Sequence, residues 1–387
     1  MSDQQPRGTA DHDASAADRG TSAVGTLPPT AGPAADAPPA DAPAAPRRRH
    51  RRVRRLLVGL GVLALALALV VGGGAWFLVH RYGGNIDRVD GVFSGLDASA
   101  RPAEASPTGA AASAATADPV TFLLVGSDTR ADITAGEVPD ARSDAIMIAR
   151  FSADRQHAQI VSIPRDSWVD IPGHGKNKIN AAYAFGGPSL LVQTVEDLTG
   201  VRIDHYAAIS FNGLIDMTDA LGGVDVTVAA TTSWGPYTFT QGVNHLDGDQ
   251  ARWYVGQRHG LAGGDFDREK RQQNYLRAMF TKLLGQGTFS NPGKLNTVLE
   301  DVTGSVAVDS GLSNTDLLQM AYSLRDVQPS DVDFLTAPVL GTGTEGAASV
   351  VYLDPTRDAR MWSYLQSDSL GQNADEFSAE ALSDTPR

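Results

Sequence analysis

The stretch FLLVGSDTR, Phe122 to Arg130, runs an apolar segment straight into a turn, and RSDAIMIARF, Arg142 to Phe151, places Arg142, Ser143 and Asp144 just ahead of another. Val120–Val125, Ala145–Phe151 and Ala158–Ile163 are short apolar or alternating runs that read as strands. His205–Ser210, Val224–Val228, Asp333–Thr336 and Val350–Leu353 read as further strands. Ser189–Leu198, Phe211–Leu221, Asp247–Val255, Asp267–Leu284 and Asn314–Leu324 carry helical spacing. Helices interleaved with strands predict a three-layer α/β/α fold with a mixed central sheet.

Strand ends are where such folds hold ligands. Asp128 and Arg130 follow one predicted strand, and Asp144 opens the next. Two aspartates on neighbouring strand ends suit a hard cation such as Mg²⁺, which takes few protein carboxylates and leaves positions for phosphate oxygens. Turn chemistry alone also favours Asp at these places. After the third strand, Val161 to Gly187 carries Arg165, Asp166, Lys176 and Lys178 in a Gly-rich loop before a short helix. Neither glycine pattern matches a P-loop or a dinucleotide fingerprint. His174 and His259 lack metal-ligand spacing.

Gly264 to Gln273, GDFDREKRQQ, concentrates basic side chains and two adjacent glutamines on the opening turns of one helix. Residues three and four apart share a helix face, so Arg268, Arg271 and Gln272 are expected to point the same way, with Arg258 arriving from the preceding segment. Ala251 to Phe280 holds six Lys/Arg against three acids, a local balance of +3 in a chain of net charge −13. A basic cluster inside an acidic protein points to a localised anionic ligand and away from nucleic acid; on charge alone a solvated helix face with i,i+4 ion pairs reads equally well.

Residues 1–46 contain no aromatic residue, eight prolines and six Asp against two Arg, which reads as a disordered tail. Seven arginines fall between 47 and 55, followed by an uncharged run from Leu56 to Val79. Those 24 residues would rise about 36 Å as a helix against a hydrocarbon core of about 30 Å. A transmembrane helix over 56–79 is expected, with the arginine block holding the N-terminus in the cytoplasm and the rest of the chain outside the cell membrane. Residues 80–118 read as an extracytoplasmic Ala/Ser/Thr/Pro spacer, 119–365 as one folded domain, and 366–387 as an acidic flexible tail. The chain has no cysteine, which excludes disulfides and thiol catalysis.

Taken in order, FLLVGSDTR, RSDAIMIARF, VSIPRDSW, KINAAYAFGG, ALGGVDV, LDGDQARWYV and GDFDREKRQQ, following an N-terminal apolar span, resemble the LytR-CpsA-Psr family of cell-envelope proteins over Pro119 to Leu284. The resemblance implies a membrane-anchored phosphotransferase that moves a secondary wall glycopolymer from a polyprenyl pyrophosphate carrier onto peptidoglycan, assisted by Mg²⁺ (or Mn²⁺), in a fold whose apolar groove holds the lipid. It assigns Asp128 and Asp144 to the metal and Arg142, Arg165, Arg258, Arg268 and Gln272 to the pyrophosphate. The family commonly reads Tyr-x-Arg-x-Arg where this chain has Tyr254, Val255, Gly256, Gln257 and Arg258. A member that binds lipid-linked polymer, or regulates envelope assembly, without transferring it is therefore the alternative.

Overall fold

A computed structural model describes residues 84, 86–127, 143–284 and 303–386. The chain divides into two units, Met1–Ala64 and Leu65–Arg387, and every described residue belongs to the second. The expected tail over 1–46, basic segment over 47–55 and transmembrane helix over 56–79 lie outside the described residues. Among the described residues no helix is long and apolar enough to cross a membrane.

In chain order the strands are β1 (Asp87–Val89), β2 (Val120–Ser127), β3 (Ser143–Phe151), β4 (Ala158–Ser162), β5 (Trp168–Ile171), β6 (Gly175–Lys178), β7 (His205–Ser210), β8 (Val224–Val228), β9 (Thr232–Trp234), β10 (Tyr237–Phe239), β11 (Gly242–Leu246), β12 (Val306–Asp309), β13 (Val332–Thr336), β14 (Val339–Glu345) and β15 (Ala348–Leu353). The helices are α1 (Gly109–Ala114), α2 (Asn180–Thr199), α3 (Phe211–Ala220), α4 (Gly248–Gly256), α5 (Asp265–Leu284), α6 (Asn314–Ser323) and α7 (Pro355–Gln366).

Seven strands form the central sheet in the order β1-β12-β7-β2-β3-β4-β13. It is mixed: β1 and β12, β2 and β7, and β4 and β13 run parallel, whereas β12 and β7, β2 and β3, and β3 and β4 run antiparallel. Alternation along the strands divides the core into two faces. Leu123, Val125, Ile146, Ile148 and Val161 pack with Leu191, Val192 and Val195 of α2 and Met361, Trp362 and Leu365 of α7. Phe122, Met147, Ile160 and Phe334 face the other way, toward Leu276 and Phe280 of α5 and Leu317 and Met320 of α6. Each such fully buried aliphatic side chain contributes about 1.5–3 kcal/mol. A further core gathers Val224, Val226 and Phe239 with Tyr254 of α4 and Tyr275 and Met279 of α5.

Local signals place the helices. Ser210 caps α3 by accepting from the Gly213 amide, and Asp247 with Gln250 forms a capping box at α4. Inside α2, Gly186 and Gly187 leave helical geometry just before Pro188. Gly187 takes φ +61, a left-handed value that favours glycine. Gln273, fully buried, ties α5 to the sheet by donating to Ser162 Oγ at 2.8 Å and the Leu335 carbonyl at 2.9 Å.

Three sequence expectations are corrected. The spacer assigned to 80–118 contributes β1, paired with β12, and Arg101 Nη2 reaches Glu196 Oε1 at 2.7 Å. Three residues of strand at a sheet edge carry too short a period to be read beforehand. The acidic tail assigned to 366–387 is anchored: Leu370 and Phe377 are buried, and Arg357 and Arg360 of α7 pair with Glu380 and Glu376 at 2.6 Å each. Its acids serve as partners for a neighbouring helix. The loop expected after Asp166 is the β5–β6 hairpin.

Candidate active site

The site is built where β2 and β7 end and β3 begins. Ser127 pairs with both Ser143 of β3 and Ser210 of β7, so three strand ends meet at one edge of the sheet. β4 ends at Ser162 beside Met147 and leads through Pro164 to Arg165 and Asp166. From the other side comes the N-terminus of α5, whose first turn holds Asp265 and Asp267. The Asp267 carboxylate accepts from the Gly263 amide at 2.7 Å. Acids in a helix's first turn oppose the positive end of its dipole favourably.

Asp265, Arg268, Glu269 and Gln272 fall at i, i+3, i+4 and i+7 along α5, one continuous face. All four line a cavity of ≈ 240 Å³ that also takes in Arg165 and Asp166. Asp265 Oδ2 receives Arg165 Nη2 at 3.0 Å and Arg268 Nη2 at 3.2 Å, so one carboxylate orients two guanidinium groups. Lys178 Nζ lies 3.0 Å from Asp166 Oδ1. Arg268 is 4% exposed whereas Asp265 is 40% exposed. The cation is thus held in place by packing as well as by charge, as recognition of a phosphate by a planar guanidinium requires.

Beside it lies a second, apolar cavity of ≈ 100 Å³ lined by Leu124, Ile209, Leu214, Val255, Tyr275 and Leu276, among others. The two cavities share Ala145, Met147 and Gln272. Gly126 also lines the apolar cavity. A Cβ there would stand 3.1 Å from the Ala145 Cβ, so glycine permits the close approach of β2 and β3 at this wall. Leu214 and Leu276, which periodicity alone assigns equally well to core, are lining residues. Met279 is core, and Met217 packs against that core partly buried.

Of the residues singled out in the sequence, Arg165, Arg268 and Gln272 come together at the charged cavity. Arg258 is exposed beyond the end of α4 and lines neither cavity. Asp128 and Arg142 lie outside the described residues. Asp144 sits in β3, with its side chain outside the description. Among the described residues no three His, Asp or Glu side chains converge as a metal cage, and Asp166 and Asp265 both stand within ion-pair distance of cations. The described part of the cavity thus sets Arg165 and Arg268 among the acids Asp166, Asp265 and Glu269.

Arg271 departs from the shared face expected for it. It turns away from the cavity into the core between α4 and β9, fully buried. Nη1 donates to Gln257 Oε1 at 2.6 Å and Nη2 to Thr232 Oγ1 at 2.7 Å. Its guanidinium lies over the Tyr254 ring, 4.7 Å from the centroid. Burial lowers its pKa, with Tyr254 and Asp267 opposing the shift. Gln257 in turn donates to the His259 carbonyl at 2.9 Å, so Arg271 braces the corner that carries Arg258. Gly256, the last residue of α4, has open space where a Cβ would stand.

Glu269 was not singled out by the sequence, although its spacing from Asp265 and Gln272 puts it on the same face. Burial, reinforced by Asp265, pushes its carboxyl up to about 8 against the opposing pull of Arg268, Thr336 and Lys270.

The chain is similar in sequence and fold to known proteins. The model of the LytR_cpsA_psr family matches residues 94–366. The cell wall biosynthesis protein LcpA of Corynebacterium glutamicum is 34% identical over 313 residues, which is 70% of this chain and 59% of that protein. The polyisoprenyl-teichoic acid–peptidoglycan teichoic acid transferase TagU of Oceanobacillus iheyensis is 31% identical over 283 residues, 72% of this chain and 84% of that protein. Among solved structures, TagT bound to LI-WTA matches with a TM-score of 0.52 and 27% identity, covering 65% of this chain and 90% of that one. The chain thus spans less than two thirds of the length of LcpA.

Proposed function

The chain belongs to the LytR_cpsA_psr family, and from that premise we propose that it is a membrane-anchored phosphotransferase attaching a polyprenyl-pyrophosphate-linked cell-wall glycopolymer to peptidoglycan. One observation carries the reading: the cavity ringed by Arg165, Arg268 and Gln272 opens beside an apolar cavity and shares three residues with it. A diphosphate esterified to a lipid has that same division, a charged group joined to a hydrocarbon. Phosphoryl transfer asks a protein chiefly for positioning and charge neutralisation, which planar guanidinium groups supply.

In the proposed reaction an acceptor hydroxyl oxygen on peptidoglycan attacks the phosphorus nearest the polymer. An O–P bond forms, the bridging P–O bond breaks, and polyprenyl phosphate leaves as the hydroxyl proton is lost. Mg²⁺ (or Mn²⁺) held by Asp128 and Asp144 would neutralise phosphate charge. Two carboxylates leave such an ion positions for water and phosphate oxygens. The apolar run over 56–79 behind its arginine block anchors the domain outside the membrane in this reading. No nucleic acid is involved.

A second reading is favoured by Gly256 and by the position of Arg258 away from both cavities: a member that binds lipid-linked polymer without transferring it. Purified full-length protein in detergent, given a lipid-diphosphate-linked oligosaccharide, Mg²⁺ and peptidoglycan, separates the two. Transfer with release of polyprenyl phosphate is expected, with Asp144→Ala abolishing the response to Mg²⁺. Binding without release by the parent, restored to transfer by Gly256→Arg, would establish the second reading instead.

A further inference from the structure

Most charged groups around the cavity are accounted for by their partners, but Glu269 is not. Its side chain lines the cavity beside Arg268 and Gln272. Its Oε1 is sealed from solvent and has no hydrogen-bond partner. Thr336 of β13 is a polar neighbour of the side chain from the sheet. Among the described residues, the charged groups around it are Asp265, Arg268 and Lys270 on its own helix and Arg165 and Asp166 following β4. Thr342 of β14 and Ser349 of β15 complete the wall without charge.

A carboxylate with one oxygen sealed from water and short of donors is penalised, and the group keeps its proton instead. That is the direction found here, where burial outweighs the neighbouring cations. An ionised carboxylate would also repel any phosphate brought to Arg165 and Arg268. A neutral one presents an O–H to it.

We propose that Glu269 binds the substrate's diphosphate as a neutral carboxyl, donating its proton in a hydrogen bond to a non-bridging phosphate oxygen. This rests on the function proposed above and adds a fourth contact to those of Arg165, Arg268 and Gln272. Anion binding strengthens the hold on the proton, because the charged form of Glu269 faces the bound phosphates. The site therefore loses affinity as pH rises past the carboxyl's titration, by roughly tenfold for each pH unit while the bound form stays protonated.

The test measures binding of geranylgeranyl diphosphate to the full-length protein in detergent, at constant Mg²⁺, across pH 7 to 9.5. For the parent, affinity is expected to fall above about pH 8, and for Glu269→Gln, which keeps a donor but cannot ionise, the decline should vanish. Titration calorimetry of the parent alone, in buffers of different ionisation enthalpy, should show close to one proton taken up on binding at about pH 8.5 to 9. That measurement stands even if the variant fails to fold. Binding with no proton uptake, or the same pH decline in parent and Glu269→Gln, would overturn the role of Glu269 and leave the diphosphate site standing. Absence of binding by the parent at every pH would overturn the function reading, and this proposal with it.

Discussion

Arg165 Nη2 lies 3.0 Å from Asp265 Oδ2, joining the turn after β4 to the first turn of α5. The pair does not exist to hold the fold. Asp265 is 40% exposed, and ion pairs so placed stabilise by about 0–1 kcal/mol. What the carboxylate does is aim two guanidinium groups at one cavity, since Arg268 reaches the same oxygen.

Asp265→Ala is therefore expected to cost under about 1 kcal/mol of stability while lowering transfer much more, because misaimed donors lose their advantage at the transition state. Denaturant unfolding and initial transfer rates, measured on the same preparation, check the split. A large loss of stability with proportionate loss of rate would make the pair a structural brace.

Arg268→Ala should weaken binding of a prenyl diphosphate by roughly ten- to a hundredfold, the worth of a charge-assisted hydrogen bond of about 1.5–3 kcal/mol. Gln272→Ala should cost less, having a neutral donor. Calorimetry on each variant reads both numbers, and equal small losses would place the two residues on a merely solvated surface.

Arg271 behaves oppositely. Replacing it by Met removes the donor to Thr232 Oγ1 and leaves Gln257 Oε1 with only the Thr232 hydroxyl at 3.2 Å, at about 1–3 kcal/mol for a buried group left unsatisfied. Urea unfolding of Arg271→Met should show a marked loss, whereas Arg258→Ala, at an exposed position, should leave stability near that of the parent.

Asp358 in α7 makes stability depend on pH. Burial, then the charges of Asp354 and Glu380, raise its carboxyl from 3.8 to about 7, and its Oδ1 is buried without a partner. The folded protein holds this proton more tightly than the unfolded chain, so the group's penalty grows as pH climbs from about 4 to about 7 and is constant above. Asp358→Asn should match the parent in acid and exceed it in stability at neutral pH. Melting curves across that range decide it, and a constant gap between the two proteins would remove Asp358 as the cause.

Much of this was legible in the residues. The runs from Val120, Ala145 and Ala158 became the centre of the sheet, and the helical spacing from Asp247 became α4. The convergence of Arg165 with Arg268 was legible only as a resemblance, because nothing local to either residue specifies the other. Arg271 was misplaced for a physical reason: helical period allows it on either flank of the Arg268 face, and the choice is made by Tyr254, Phe239 and Gln257, which arrive from other elements. Glu269 carried its signal in its spacing, but its burial is a tertiary property. β1 and the C-terminal segment were hidden because isolated apolar residues, Val89 and Phe377 among them, find their cover only in the assembled core.

Gln272 belongs to the wall of both cavities, and under the proposed function this makes binding a tethered event. Once the diphosphate is seated, the hydrocarbon is presented to its slot at the high local concentration that a short covalent link provides. A free lipid and a free diphosphate, supplied together, would each fill one side without that advantage. The protein would then discriminate by connectivity, rejecting the abundant membrane lipids and soluble phosphates that carry half of the pattern each.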